Sequence, residues 1–309
     1  MARKTQIMLG AVNIALPKPH SAARYAELWS KMFALKKPVR IFGDQFLLIG
    51  SIEPLSPSKP DAGYTGTFYR FTEIDFKKPW LDLDTIKEAD HQVVKEAVKI
   101  PDNLRPNLSV FRYAFFADHH RLVIESNSSD AGSLSPHFVE KLITQLMADP
   151  QLTDAFPDAV ATIEQDKQKI DDFITYPGLI ELEIVIKRPN PDDDSNSDEE
   201  KVLKELEEQH AKSQLIVLKA SSGSSLTPNK RTKRLANVAS SNGTVNAVLQ
   251  TEDGKKKPVS SRKAPLLHPI RFNKQQQLPK AAFLDGARQL AAHLRTLAIE
   301  WLKNPAKDS

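Results

Sequence analysis

The chain has 309 residues, 40% of them hydrophobic and 27% charged, which is enough for one large or two ordinary domains and too apolar for a disordered protein. It has no cysteine, which excludes disulfides, thiolate metal sites and thiol nucleophiles together and leads to a cytoplasmic expectation. The formal net charge of +4 conceals a polarised chain: Lys219 to Lys274 holds twelve basic residues and two acids, while Asp192 to Glu208 holds nine acids and two bases.

In chain order, "TQIMLGAVNIAL" alternates as a strand and "HSAARYAELWSKMFAL" carries Tyr25, Leu28, Trp29, Met32 and Phe33 at helical spacing behind a capping Ser21. "VRIFGDQFLLIGSIEPL" reads as a hairpin about Gly43 and Asp44, "EPLSPSKPDAG" as a loop and "YTGTFYRFTEI" as a strand. A second hairpin is expected in "FRYAFFADHHRLVIES", turning at Asp118 and His119, followed by a helix from Ser135-Pro136 and continued helix through "DAVATIEQDKQKIDDFI". "TYPG" marks a break, placing a domain boundary at 176/177. Beyond it come the strand "LIELEIVIKRP", an acidic linker "NPDDDSNSDEE", a charged helix with Val202, Leu203 and Leu206 as its apolar stripe, and the strand "QLIVLKA". "KRTKRLANVASS" is expected to be a short helix, "GTVNAVLQ" and "KKPVSSR" a hairpin about Asp253-Gly254, and "LLHPIRF" a last strand. The chain closes on a long helix with Phe283, Ala287, Leu290, Leu294, Leu297 and Trp301 along one face. Helices and strands mix without a βαβ cadence, so the expected class is α+β: mostly antiparallel sheets with flanking helices, in domains 1–176 and 177–309.

Phosphate-loop, dinucleotide, zinc-protease and serine-hydrolase motifs are absent, and no cofactor, metal or catalytic residue is assigned. Two places keep an enzyme in view. Asp118, His119 and His120 combine metal-ligating types but sit where a hairpin must turn; Glu181, Glu183 and Lys187 share strand parity and suit either a nuclease-like edge or a solvated outer face.

The basic segment carries the stronger signal. Lys230, Arg231, Lys233 and Arg234 form one knot; Lys255, Lys256 and Lys257 load a hairpin turn; Arg262 and Lys263 follow it. Each cation set against a phosphate releases a condensed counterion, so clustered cations with hydroxyl-rich neighbours suit a polyanion. Aromatics are scarce there, Phe272 excepted, which favours duplex over single-stranded nucleic acid. Solvated, aggregation-resistant surface is the competing reading. The acidic stretch Asp192 to Glu208 is either a linker and helix face or a cover that folds over the basic hairpin until DNA displaces it.

The order strand, charged stretch, strand, "GTVNAVLQTEDGKKKPVSS" hairpin and terminal helix, over Gly178 to Lys303, resembles the RexA-like phage-exclusion proteins and related bacterial domains among phage-defence genes. The likeness is of pattern, with no residue carried across. It implies a homodimer that binds double-stranded DNA with little sequence preference and acts in antiviral defence without an enzymatic step. A defence-system partner protein is a further expectation; a membrane is not, since no run approaches roughly 18 apolar residues.

Overall fold

The structure, a computed structural model, describes residues 5–18, 20–128, 131–189 and 198–303. It is α+β: the described residues form two main antiparallel sheets with helices packed on their faces, and a separate two-stranded hairpin. Leu297 and Trp301, and the acids of the 192–197 stretch, lie outside the described side chains.

The large sheet begins with β1 (Thr5–Ala15), whose residues 9 and 11–15 are all buried. Such a run, apolar on both parities, belongs to a central strand with both faces covered. α1 (Ala22–Ala34) follows, capped by the Ser21 hydroxyl accepting from the Arg24 N–H, and buries Tyr25, Leu28, Trp29 and Met32. At about 1.5–3 kcal/mol for each large apolar side chain taken from water, that stripe fastens the helix to the sheet. β2 (Val39–Phe42) and β3 (Gln45–Pro54) form the expected hairpin, and β4 (Gly63–Thr72) pairs with β3.

Residues 73–108 then leave the sheet as an excursion holding a two-stranded hairpin, β5 (Leu81–Asp82) and β6 (Lys87–Glu88), and a short helix α2 (His91–Ala97). The chain returns as β7 (Ser109–Phe116) and β8 (Arg121–Ser128), with β9 (Gly132–Ser133) appended to β8. α3 (Pro136–Met147) starts at the Ser135 cap with proline in its first turn, as expected, and α4 (Pro150–Thr153) adds one turn.

The expected helix through "DAVATIEQDKQKIDDFI" is only half present. β10 (Val160–Ile163) is a strand paired with the second half of β1, and α5 (Lys167–Ile174) begins behind an Asp166 cap. Val160, Thr162 and Ile163 are β-branched and fill an otherwise open edge of β1, which overrides the apparent helical spacing.

The small sheet runs β12-β11-β13-β14, from β11 (Leu179–Lys187), β12 (Ser213–Lys219), β13 (Gly243–Gln250) and β14 (Lys256–Ser260). α6 (Asp198–Glu208) and α7 (Lys230–Asn242) cover the face that carries Leu182, Ile184, Ile186, Val245 and Ala247. α7 passes directly into β13 at Gly243, where a Cβ would stand 1.9 Å from the Val185 carbonyl oxygen; only glycine permits that approach.

β15 (Leu267–Phe272) and α8 (Pro279–Lys303) do not close the small sheet. β15 pairs with the first half of β1, and α8 lays Phe283, Ala287, Leu290 and Leu294 on the large-sheet face opposite α1 and α3. The 176/177 division therefore separates two sheets, but the last segment returns to the first. Ile270 and Phe272 can bury only beside β1, so the segment after Leu267 is part of the large sheet's core. No described helix is long and apolar enough to cross a membrane.

Candidate nucleic-acid interface

The small sheet's hydrogen bonds decide which basic residues meet. Gln250, the last residue of β13, donates its N–H to the Gly178 carbonyl at 2.7 Å, and Leu226, four residues before α7, donates to the Leu179 carbonyl at 2.7 Å. At the same end β12 finishes, with Lys219 opposite Glu181 and the Ala220 N–H on the Ile180 carbonyl. The β13–β14 turn, with Gly254 at φ 77°, puts Lys256 opposite Gln250 and Lys257 opposite Leu249. One end of the sheet thus collects Lys219, the first turn of α7 and the lysine hairpin.

Within that set the environments differ. Lys230, Arg231, Lys256 and Lys257 are exposed, and no ion pair to them is found among the described residues. Lys255 is exposed but lies 2.7 Å from Asp253, whose carboxyl it helps hold below its ordinary value. Lys219 stands 3.7 Å from Glu181. Lys233 is half-buried and faces Asp171, whose carboxyl burial pushes up while Lys233 pulls it down. Arg234 reaches Asp198 of α6 at 3.9 Å.

Arg262 and Lys263 fall elsewhere. The Ser261 hydroxyl accepts from the Val245 N–H, so the pair sits about five residues up the strand from Lys257, roughly 17 Å away along it. Arg262 makes a two-pronged ion pair, 2.6 and 3.3 Å, with Glu140 of α3. Burial pushes the Glu140 carboxyl up, but bonds to His137 and Arg262 outweigh it and hold it below the ordinary range. Arg262, expected to contact phosphate, thus has its charge answered by a carboxylate on the large sheet's helix layer. Lys263 is exposed, beside a shallow pocket of about 230 Å³ lined by Glu181, Glu183 and Asn246.

α7 is what presents the cations, and its far end explains how it is held. Helix C-termini leave carbonyls without intrahelical donors. Here Ser240 accepts from the Gln165 N–H at 3.1 Å and Ser241 from Asn13 Nδ2 at 3.1 Å, while the Ser241 hydroxyl donates to Glu164 at 2.7 Å. Arg121 binds both Glu164, at 2.7 Å, and the Asn13 side-chain oxygen. Asn13, Arg121, Glu164, Ser241 and Asn242 are all buried. This seam joins the two sheets, and nothing in the spacing of residues so far apart in the chain announced it. Its one prior sign is Asn13, a polar side chain within the apolar β1 run.

The acidic stretch does not cover the hairpin where it is described. α6 buries Val202, Leu203 and Leu206, and its acids meet Lys18, Arg188, Asn242 and Arg234. Arg188 follows the end of β11, which lies about eight residues, roughly 26 Å, from the strand's start near the hairpin.

The two enzymatic alternatives lie on different sheets, and of them Glu181 and Glu183 line the shallow pocket beside Lys263. Asp118, His119 and His120 form the β7–β8 turn, as the turn reading required. His120 then turns into the core, its ring 4.2 Å from that of Tyr25, and burial drives its pKa down to about 2. Glu183 accepts from Asn246 Nδ2 at 2.7 Å on the open sheet face. Among the described residues no group of three or more His, Asp or Glu side chains is placed to hold a metal ion.

No curated protein matches the sequence. One family does match, over residues 5–288, a span that includes both sheets and the start of α8. The chain belongs to the family described as a domain of unknown function (DUF4747).

Proposed function

We propose that this protein binds duplex DNA with little sequence preference, through the end of the small sheet where α7 begins and the β13–β14 hairpin turns. The observation that carries the reading is the first turn of α7. A helix N-terminus bears the positive end of the macrodipole and favours acids; α7 has none in its first turn and carries Lys230, Arg231 and Lys233 there. That arrangement costs the helix stability by itself and becomes favourable when an anion sits against it. Lys256 and Lys257 extend the positive surface from a second element at the same end.

The site is short of stacking platforms. Phe272 is buried beside β1, on the large sheet, which disfavours splayed single strands and supports a backbone-reading mode on a duplex. The likeness of Gly178–Lys303 to RexA-like proteins supports the same mode and, within this proposal, a non-enzymatic role in antiviral defence.

The test is a titration of labelled duplex DNA at several salt concentrations. The logarithm of affinity should fall with that of salt by about 0.9 per phosphate engaged. Reversing Lys230 and Arg231, or Lys256 and Lys257, to glutamate should flatten the slope by up to about 1.8, whereas Arg262→Ala should leave it in place. Salt-independent binding, or a slope that ignores both reversals, would dismiss the reading.

A further inference from the structure

The excursion of residues 73–108 carries an unequal share of the molecule's exposed aliphatic surface. Leu81, Leu83, Ile86, Val93, Leu104 and Leu108 are each between 54% and 75% exposed. These six are half of the exposed large hydrophobic side chains among the described residues. An interface of standard size takes roughly 800 Å² from each partner, a little over half of it apolar. Single surface leucines need no account, but three of these six fall within the eight residues of the β5–β6 hairpin.

The hairpin tip adds a second sign. Ile86 has φ 54°, a left-handed conformation that a β-branched side chain adopts only under strain and that glycine or asparagine would relieve. An exposed apolar side chain held in a strained conformation points to a use outside its own fold. The base of the excursion is meanwhile fastened: the Glu73 N–H donates to the Asp44 carbonyl at 2.9 Å, Lys78 pairs with the Asp44 carboxylate, Arg105 pairs with Glu73 at 3.3 Å, and the rings of Phe76 and Trp80 stack. A two-stranded hairpin is marginal alone, and both of its outer edges are without a further strand among the described residues.

We infer that a second copy of this chain covers the hairpin, edge to edge across a two-fold axis. Charge selects that occupant. The excursion holds eight acids and six bases, so neither nucleic acid nor an anionic membrane is drawn to it. β6 is Lys87-Glu88, a sequence that is its own complement: paired antiparallel with itself, Lys87 faces Glu88 of the partner subunit and Glu88 faces Lys87 of the partner subunit. A two-fold interface requires that reciprocity, and opposite charges placed directly across strands favour it. Leu83 and Ile86 then lie at the joint. The inference is independent of DNA binding, and either can fail alone.

Sedimentation of the full-length protein from about 1 to 100 µM tests it, a range that spans the weak end for interfaces of this size. The expected result is a dimer whose dissociation constant rises at least about tenfold in Leu83→Asp, in Ile86→Asp and in Glu88→Lys, with circular dichroism unchanged. Leu278→Asp, altering a side chain equally exposed at 75% but outside the excursion, should leave association intact. A wild type that stays monomeric throughout, or a dimer indifferent to both tip substitutions and to Glu88→Lys, would overturn the inference.

Discussion

Arg121 is the side chain on which most of the seam's polar groups depend. Its guanidinium is buried with Glu164, and both lie against the end of α7. Removing one partner of a buried pair leaves the other charge uncompensated, so Arg121→Ala should lower the unfolding free energy by about 3–5 kcal/mol in urea. His120 gives the seam's neighbourhood a pH dependence. Its pKa is lowered in the fold by burial, so below the ordinary value of 6.5 the unfolded chain takes up a proton that the folded chain refuses. Stability therefore falls as pH drops through 6.5, by up to about 1.4 kcal/mol per unit from this residue. Since His120 has φ 55°, His120→Asn preserves the turn; its urea midpoints at pH 7, 6 and 5 should fall less steeply than those of the wild type. In contrast, Glu140 is held below its ordinary value of 4.5, so the contribution of the Arg262 pair is present above that pH and disappears beneath it. Arg262→Ala should cost about 1–3 kcal/mol at pH 7 and progressively less as pH falls below 4.5. Asp118, His119 and His120 invited a metal reading by type alone; the left-handed backbone at His120 explains why a polar residue stands there.

At the scale of the element, α7 behaves as a strut with one end sunk between the sheets and the other presented to solvent. Reversing Lys230 and Arg231 to glutamate puts acids at the positive end of the helix dipole, which should stabilise the fold by about 0.3–1 kcal/mol per charge. The same substitutions should weaken DNA binding. A melting temperature that rises while affinity falls would show cations retained for a ligand at the expense of the helix; both falling together would remove that account. The helix and the hairpin were legible because each has a local signature: the run KRTKRLANVASS, which suits a short helix, and Asp253-Gly254 between two strand-like runs. β10 was not, since four residues of strand can be recognised only by the edge of β1 they complete. Nor did local pattern set Arg262 apart from Lys257. Both belong to one basic run, and only the rise of β14 away from the turn separates them.

On the level of the whole molecule, the antiparallel α+β class follows from the sequence itself, because strand and helix periodicities are written residue by residue along it and turns are marked by glycine, proline and aspartate. So does the polarity of charge, a matter of counting. What the order of residues left open is who meets whom across long separations. The pairing of β15 with β1, the burial of α8 beneath the large sheet and the seam of Asn13, Arg121, Glu164 and Ser241 join distant residues, Asn13 and Ser241 being 228 positions apart. Local propensity acts over a few neighbours, whereas these contacts are chosen by which apolar faces and unpaired carbonyls remain once each sheet has formed. For the same reason the nine basic residues expected at one surface were divided: those at the start of β11 share an end of the small sheet, and Arg262 is spent on holding the two sheets together.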